Sequence, residues 1–294
     1  MQIHRTTLFQ NETLQIGLFE ARPASDACGE IERQSLNVVV LPFSGVFSKH
    51  EAPGRQVIGT PSHAVLIAAD TPYRLSFPGA IGDRALTFRF GENLAPGQLP
   101  GHGSRPPASH GLLPGHAVVL RNLLCMRLKH GASDGFEIEA LALDLLRRSL
   151  SSMDAGSLPV RRSTRSRRMH ALERVKEAVA LAPADKWSVA RLAKIANLSS
   201  FHLCHVFRQT VGTSIYNYVL RERLAHALDA VLECDDDITA IALDAGFADH
   251  SHFTARFRSF FGYTPASLRR LATVAQVGEL RKIMTAQRNQ PDLN

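Results

Sequence analysis

The chain has 294 residues, 45% of them hydrophobic and 21% charged, which excludes a disordered or low-complexity protein and allows about two domains. The net charge is +7, and it is unevenly spread: residues 1–160 hold 14 Lys and Arg against 14 Asp and Glu, whereas residues 161–294 hold 20 against 13. A polyanionic partner is therefore expected of the second half alone.

The N-terminus, MQIHRTTLFQNETLQ, has no apolar h-region, and runs such as VVVLPF and AVLIAA are far too short to span a bilayer. Cys28, Cys125, Cys204 and Cys234 are scattered without a CxxC pair, which argues against a zinc site or a disulfide framework. The expectation is a cytosolic protein with no membrane partner.

Residues 1–95 read as strands. LNVVVLPFSGVFS, HAVLIAA, YRLSF and ALTFRF are rich in β-branched and aromatic residues and are punctuated by turn signals, so a compact antiparallel sandwich or barrel is predicted. Residues 96–115 carry five Pro and five Gly, and a long loop without regular structure is expected there. Helical patterns follow over 116–129 and 136–150, joined by HGASDG into an αα-hairpin, with Ile138, Leu141, Ala142 and Leu145 as the buried stripe of the second helix. Residues 151–167 have no apolar period and read as a linker. Its Arg run, 161–168, is either a solvated segment or a non-specific phosphate contact. From about residue 168 the chain reads as helical, and a tail over 274–294 is expected to fray.

The helical half repeats itself. Val189, Leu192 and Ala193 correspond to Ile238, Ile241 and Ala242, offset by 49; His202-Leu203, Phe207-Arg208 and Gly212 correspond to His252-Phe253, Phe257-Arg258 and Gly262, offset by 50. Ser188 and Asp237 are N-cap residues, and Asn197 and Gly246 tolerate the positive φ of a tight turn. Each copy has the anatomy of a helix-turn-helix. A helix from Ile215 to Cys234, capped by Ser214, lies between them. At ~1.5 Å per residue it spans roughly 30 Å, close to the spacing of successive major-groove windows on one face of DNA.

Residues 168–272 resemble the DNA-binding domain of the AraC/XylS family of bacterial transcription regulators, on the strength of LAKIANLSSFHLCHVFRQTVGTS and IALDAGFADHSHFTARFRSFFGYTPASLRR. The resemblance implies a multidomain α+β protein. Its N-terminal β-rich, cupin-like barrel with an αα-hairpin (1–150) would serve effector binding and dimerisation. A linker (151–167) would lead to an all-α DNA-binding domain with two helix-turn-helix motifs joined by a long helix (168–273), followed by the tail (274–294).

Base contacts are expected from Phe201, Cys204 and His205, with His202 at the margin, and from His250, Ser251, Thr254 and Ala255. His202 and His252 stand beside core positions in both repeats and read either as base contacts or as groups bonded within the domain. Arg208, Arg256 and Arg258 are the candidates for phosphate contact. Many relatives carry Arg or Gln where this chain has Cys204, His205 and Ala255, so a different base readout is expected.

The implied partners are double-stranded promoter DNA, a small-molecule effector, RNA polymerase if the protein is an activator, and a second copy of the chain through the helical pair. No cofactor and no catalytic residue are expected. His50 and His63 stand alone rather than as a His-x-His pair, which speaks against a metalloenzyme. A cupin-type metalloenzyme fused to a DNA-binding module, and a constitutive DNA-binding protein without an effector, are the rival readings. A cytoplasmic, nucleoid-associated location follows from the DNA partner.

Overall fold

The computed structural model describes residues 2–52, 55–91, 94, 109–131, 135–154, 162–233 and 236–274. Among the described residues nine strands come first: β1 (Gln2–Gln10), β2 (Leu14–Arg22), β3 (Asn37–Gly45), β4 (Phe47–Ala52), β5 (Arg55–Gly59), β6 (His63–Ile67), β7 (Arg74–Ser76), β8 (Asp83–Phe90) and β9 (His110–Leu112). The helices are α1 (Gly115–Lys129), α2 (Gly135–Asp154), α3 (Arg162–Leu181), α4 (Val189–Ala196), α5 (Ser200–Val211), α6 (Ile215–Glu233), α7 (Ile238–Asp244), α8 (His250–Phe261) and α9 (Pro265–Val274).

The strands form an antiparallel six-stranded sheet, ordered β1-β2-β8-β3-β6-β9, and a three-stranded sheet, β5-β4-β7. The run LNVVVLPFSGVFS, expected as one strand, is divided between the two sheets. Gly45 breaks it: its φ is +76°, and a Cβ there would lie 2.1 Å from the Gly82 carbonyl oxygen. The alternation of β3 assigns its side chains to two cores. Val38 and Val40 join Phe47, Leu75 and Phe77 between the sheets, whereas Val39 and Leu41 join Leu86 and Phe88 on the opposite face, under the helices. The larger sheet is thus covered on both sides.

Two expectations are corrected. His110–Leu112, inside the predicted loop, pairs with β6 as an antiparallel strand, and Gly111 fits because a Cβ would lie 2.2 Å from the Ser152 carbonyl oxygen. Residues 95–108 of that loop lie outside the described residues. The predicted linker 151–167 is entered by helix from both ends: α2 runs on to Asp154, where Met153 is buried, and α3 begins at Arg162. Residues 155–161, Cys234 and the tail after Val274 also lie outside the described residues.

The helical pair is present, and the stripe Ile138, Leu141, Ala142 and Leu145 is buried as expected. Its first helix is not free to dimerise. Gly115 and every residue from Ala117 to Cys125 are buried within the chain's own fold. The α2 side keeps an exposed face that includes Ala140 and Arg147.

The helical half divides into two cores. Leu172, Val175, Leu192, Leu203, Phe207 and Tyr218 close the first unit. Ile241, Phe253, Phe257 and Phe261 of the second share one continuous cluster with Leu120 and Leu124 of α1 and with Phe88 of the sheet. Fully buried phenylalanines of this kind contribute roughly 1.5–3 kcal/mol each. At Gly115 a Cβ would lie 2.0 Å from the Phe260 carbonyl oxygen, so α1 and the end of α8 meet at backbone distance.

Candidate nucleic-acid interface

Local chemistry sets each helix-turn-helix. The Ser188 hydroxyl accepts from the Arg191 N–H, and Asn197 ends α4 in the left-handed region at φ 54°, ψ 46°. Ser199 then caps α5 by accepting from the His202 N–H at 3.2 Å. In the second unit Gly246 takes φ +80°, and Asp249 caps α8 by accepting from the His252 N–H at 2.7 Å. Gly212 and Gly262 close α5 and α8 in matching left-handed conformations. Asp237 does occupy the N-cap of α7, but its exposed side chain makes no cap hydrogen bond. Ser214 accepts from the Asn217 N–H at the start of α6, as expected.

The repeat places equivalent residues on equivalent faces. On α5, Leu203, Val206 and Phe207 are buried, while Phe201, Cys204, His205 and Arg208 are exposed at i, i+3, i+4 and i+7. Phe201 is 85% exposed, the most open of the large apolar side chains among the described residues. On α8, Phe253, Phe257 and Phe260 face inward, while His250, Ser251, Ala255 and Arg258 are exposed and Thr254 is half-buried beside them. The Thr254 hydroxyl lies 3.4 Å from His250 Nε2.

Two of the expected DNA-contacting residues also touch neighbours in their own domain. The His252 ring packs edge-on against Phe247 at 5.5 Å, and its Nε2 accepts from Arg256 Nε at 3.5 Å. His252 nevertheless stays exposed, and Arg256 is half-buried beside it on the same helix. His202 is half-buried beside Leu203.

Sequence reasoning missed what holds the two units together. Arg223 of α6 donates to the carbonyl oxygens of Pro183 and Gly246, each at 2.9 Å, and of Asp185 at 2.7 Å. One guanidinium thus ties the α3–α4 connection of the first unit to the α7–α8 turn of the second. A Cβ at Gly246 would lie 2.5 Å from the Ala184 carbonyl oxygen. Gly246→Ala is expected to cost about 2 kcal/mol or more of stability, from the positive φ and the collision together, measured as a fall in denaturation midpoint.

A second polar set, also missed, joins the β half to α3 and α6. Glu222 accepts from Thr60 Oγ1 at 2.8 Å and from the Ser62 hydroxyl, and Thr60 Oγ1 lies 2.7 Å from His63 Nδ1. Burial holds the His63 imidazole well below its ordinary pKa, reinforced by the positive charges of Lys176 and Arg221 and by His110; burial also raises the Glu222 carboxyl. Glu173 accepts from the Ile58 N–H at 2.7 Å and pairs with Lys176 at 2.7 Å, both side chains being 2% exposed. His50 is bonded to Ser76 at 2.8 Å, so the two isolated histidines serve separate contacts. Among the described residues no three His, Cys, Asp or Glu converge, and no helix is long and apolar enough to cross a membrane.

Two outward-facing helix surfaces on one rigid connector define a DNA-binding module, and residues 192–271 match the family model described as a helix-turn-helix domain. The chain is 34% identical over 83 residues to the probable transcription factor PqrA of Proteus vulgaris, covering 68% of that protein and 28% of this one. It is 24% identical over 252 residues to the probable transcriptional regulator LumQ of Photobacterium leiognathi, covering 96% of that protein and 80% of this one. An HTH-type regulator of Haemophilus influenzae matches at 26% identity, over only 30% of its own length and of this chain. A solved regulator with an AraC-type DNA-binding domain, from Chromobacterium violaceum, is similar at 27% identity over 36% of this chain and 97% of its own, with a TM-score of 0.33. The chain belongs to the AraC/XylS family of transcription regulators.

Proposed function

We propose that this regulator binds a promoter site made of two short boxes about one helical turn apart and activates transcription under the control of a small molecule held in its β half. The observation that carries the paired readout is the matched exposure of Phe201, Cys204, His205 and Arg208 on α5 and of His250, Ser251, Ala255 and Arg258 on α8, joined by α6 and fastened by Arg223. The nineteen residues of α6 give a connector of roughly 28 Å, compatible with adjacent windows of one groove face. His250, Ser251 and Thr254 would read base edges, with Ala255 and Phe201 offering apolar contact to thymine methyl groups and Cys204 and His205 completing the first surface. Arg208 and Arg258, in the last turns of their helices, would hold phosphates.

The β half is proposed as a cupin-like effector domain spanning about residues 1–150. The polymerase contact of an activator and a homodimer through the exposed side of α2 belong to the same reading. Sedimentation of the full chain tests the dimer, and a monomer at micromolar concentration would remove it.

The test of the DNA reading is selection of bound sequences from a random duplex pool by the full chain. The helical half alone is unsuitable, because removing α1 and the sheet would bare the apolar surface they cover. A two-box site is the expected outcome, and recovery of no sequence preference would overturn the paired readout. On that site, His250→Ala with Thr254→Ala should relax base preference, whereas Arg258→Ala should weaken all sequences alike and lower the salt slope by about one unit. Identical behaviour of the two variants would reject this division of base and phosphate contacts.

A further inference from the structure

The space between the two sheets contains a cavity of about 110 Å³. Its walls are apolar, formed chiefly by Phe19, Val38, Val40, Phe47, Leu75 and Phe77. Strand β8 runs along it, presenting Asp83, Thr87 and Arg89 to the lumen from one face, two residues apart or multiples of two. Asp83 is buried, Thr87 and Arg89 farther along β8 are half-buried, and Arg5, Thr6 and Thr7, two strands across on the edge strand β1, are open. The cavity therefore has a mouth near Arg5 and Arg89 and a closed end at Asp83.

The polar groups at the mouth satisfy one another. Arg89 donates to Gln34, Gln34 Nε2 donates to the Tyr73 hydroxyl at 2.7 Å, and that hydroxyl donates to Glu32 at 3.0 Å. Thr87 donates to the Gly17 carbonyl oxygen at 3.1 Å. Asp83 differs. It is 6% exposed, and neither of its carboxyl oxygens has a hydrogen-bond partner among the described residues. A buried carboxyl left bare is costly and uncommon in a folded chain. Burial pushes its pKa up to about 8. Among the described residues no cap or ion pair uses it, and it lines the cavity, so its polar demand is directed into the lumen.

We infer that this cavity binds a small, largely apolar compound that enters with a single hydrogen-bond donor foremost and delivers it to Asp83. The four aromatic rings of the wall, Phe19, Phe47, Tyr73 and Phe77, suit a planar body. The space holds about nine water-sized atoms, which sets the scale of the buried part of the ligand. A hydroxyl would bond to the protonated carboxyl; an ammonium would pair with the ionised one. The donor is the chemistry common to both. This assignment names the ligand class of the effector domain proposed above and rests on that reading for its regulatory meaning.

The test is calorimetric titration of the full chain with four compounds of nine non-hydrogen atoms, in two pairs: 4-ethylphenol with 4-ethyltoluene, and 2-phenylethylamine with propylbenzene. At least one donor-bearing compound is expected to bind tenfold or more tightly than its donorless partner. Asp83→Leu should abolish that preference. Asp83→Asn keeps an acceptor oxygen but cannot ionise, so it should retain the preference for the phenol and lose that for the amine. Equal binding within both pairs, no binding by any of the four at millimolar concentration, or a preference that survives Asp83→Leu would overturn the assignment. Titration of the selected DNA site with and without the bound compound separates the two readings. Site-selective DNA binding without donor preference removes the ligand class and leaves the regulator. Donor preference without any effect on DNA binding removes effector control and leaves the cavity chemistry standing.

Discussion

Asp83→Asn should stabilise the ligand-free protein, and the gain should grow with pH. The folded-state pKa of this carboxyl is raised from 3.8 to about 8. A group whose folded pKa lies above its unfolded value favours folding only while it is protonated. Between about pH 4 and pH 8 the unfolded chain releases the proton that the folded chain retains, and stability falls with rising pH at roughly 1.4 kcal/mol per unit. Over the whole window the loss approaches roughly 5 kcal/mol, and an amide of the same shape does not incur it. Denaturant titrations of wild type and variant at pH 5, 6, 7 and 8 should show a difference that widens steadily. A constant difference would mean that Asp83 does not titrate in this window. His63 and His110 act in the opposite sense: burial lowers both, so their contribution is present above the ordinary histidine range and is lost as pH falls through it. They shape the acid limb of the profile and are common to both proteins, so the difference isolates the carboxyl.

Lys176→Met should cost about 3–5 kcal/mol, the usual consequence of leaving a buried charge without its partner. Lys176 and Glu173 are paired at 2.7 Å with each side chain 2% exposed, and Glu173 also accepts the Ile58 N–H. Methionine keeps most of the lysine stem, so the loss would come from the stranded carboxylate rather than from an empty volume. Adding Glu173→Gln should recover most of the deficit, because a neutral amide oxygen still accepts from Ile58 and no charge remains. Unfolding free energies at pH 7 test both statements. A double variant as unstable as the single one would place the loss in packing.

The two helix-turn-helix units were legible in the sequence because their determinants are local. Capping side chains, a turn residue that takes positive φ (Asn197, then Gly246) and apolar spacing all act within one or two turns, and the repeat supplied the turn residue and the spacing twice. The residues joining the halves were not legible, since Thr60 and Glu222 meet across 162 positions and neither is unusual in its own segment. Arg223 was hidden for a related reason: its partners are backbone carbonyl groups, which carry no side-chain signature. Asp83 lies just ahead of ALTFRF, the run read as a strand from its β-branched and aromatic residues; the strand begins at Asp83 itself, and only the arrangement of two sheets reveals which face encloses space. His252 illustrates the limit within the readable part. Its position on α8 was correct, yet its engagement with Phe247 and Arg256 depended on side-chain geometry.

The larger sheet has a mechanical consequence. It is a partition one strand thick, with the cavity on one side and the second helix-turn-helix unit packed through its helices on the other. Val40 faces the cavity side, and Val39 and Leu41, its immediate neighbours in the chain, face the helices. A guest that displaced β3 by a fraction of an ångström would move both surfaces at once, because they share one backbone. Communication across this protein would then require no hinge and no chain of relayed contacts. The message would travel the thickness of a peptide unit, and its strength would depend on how tightly both faces of the partition are packed.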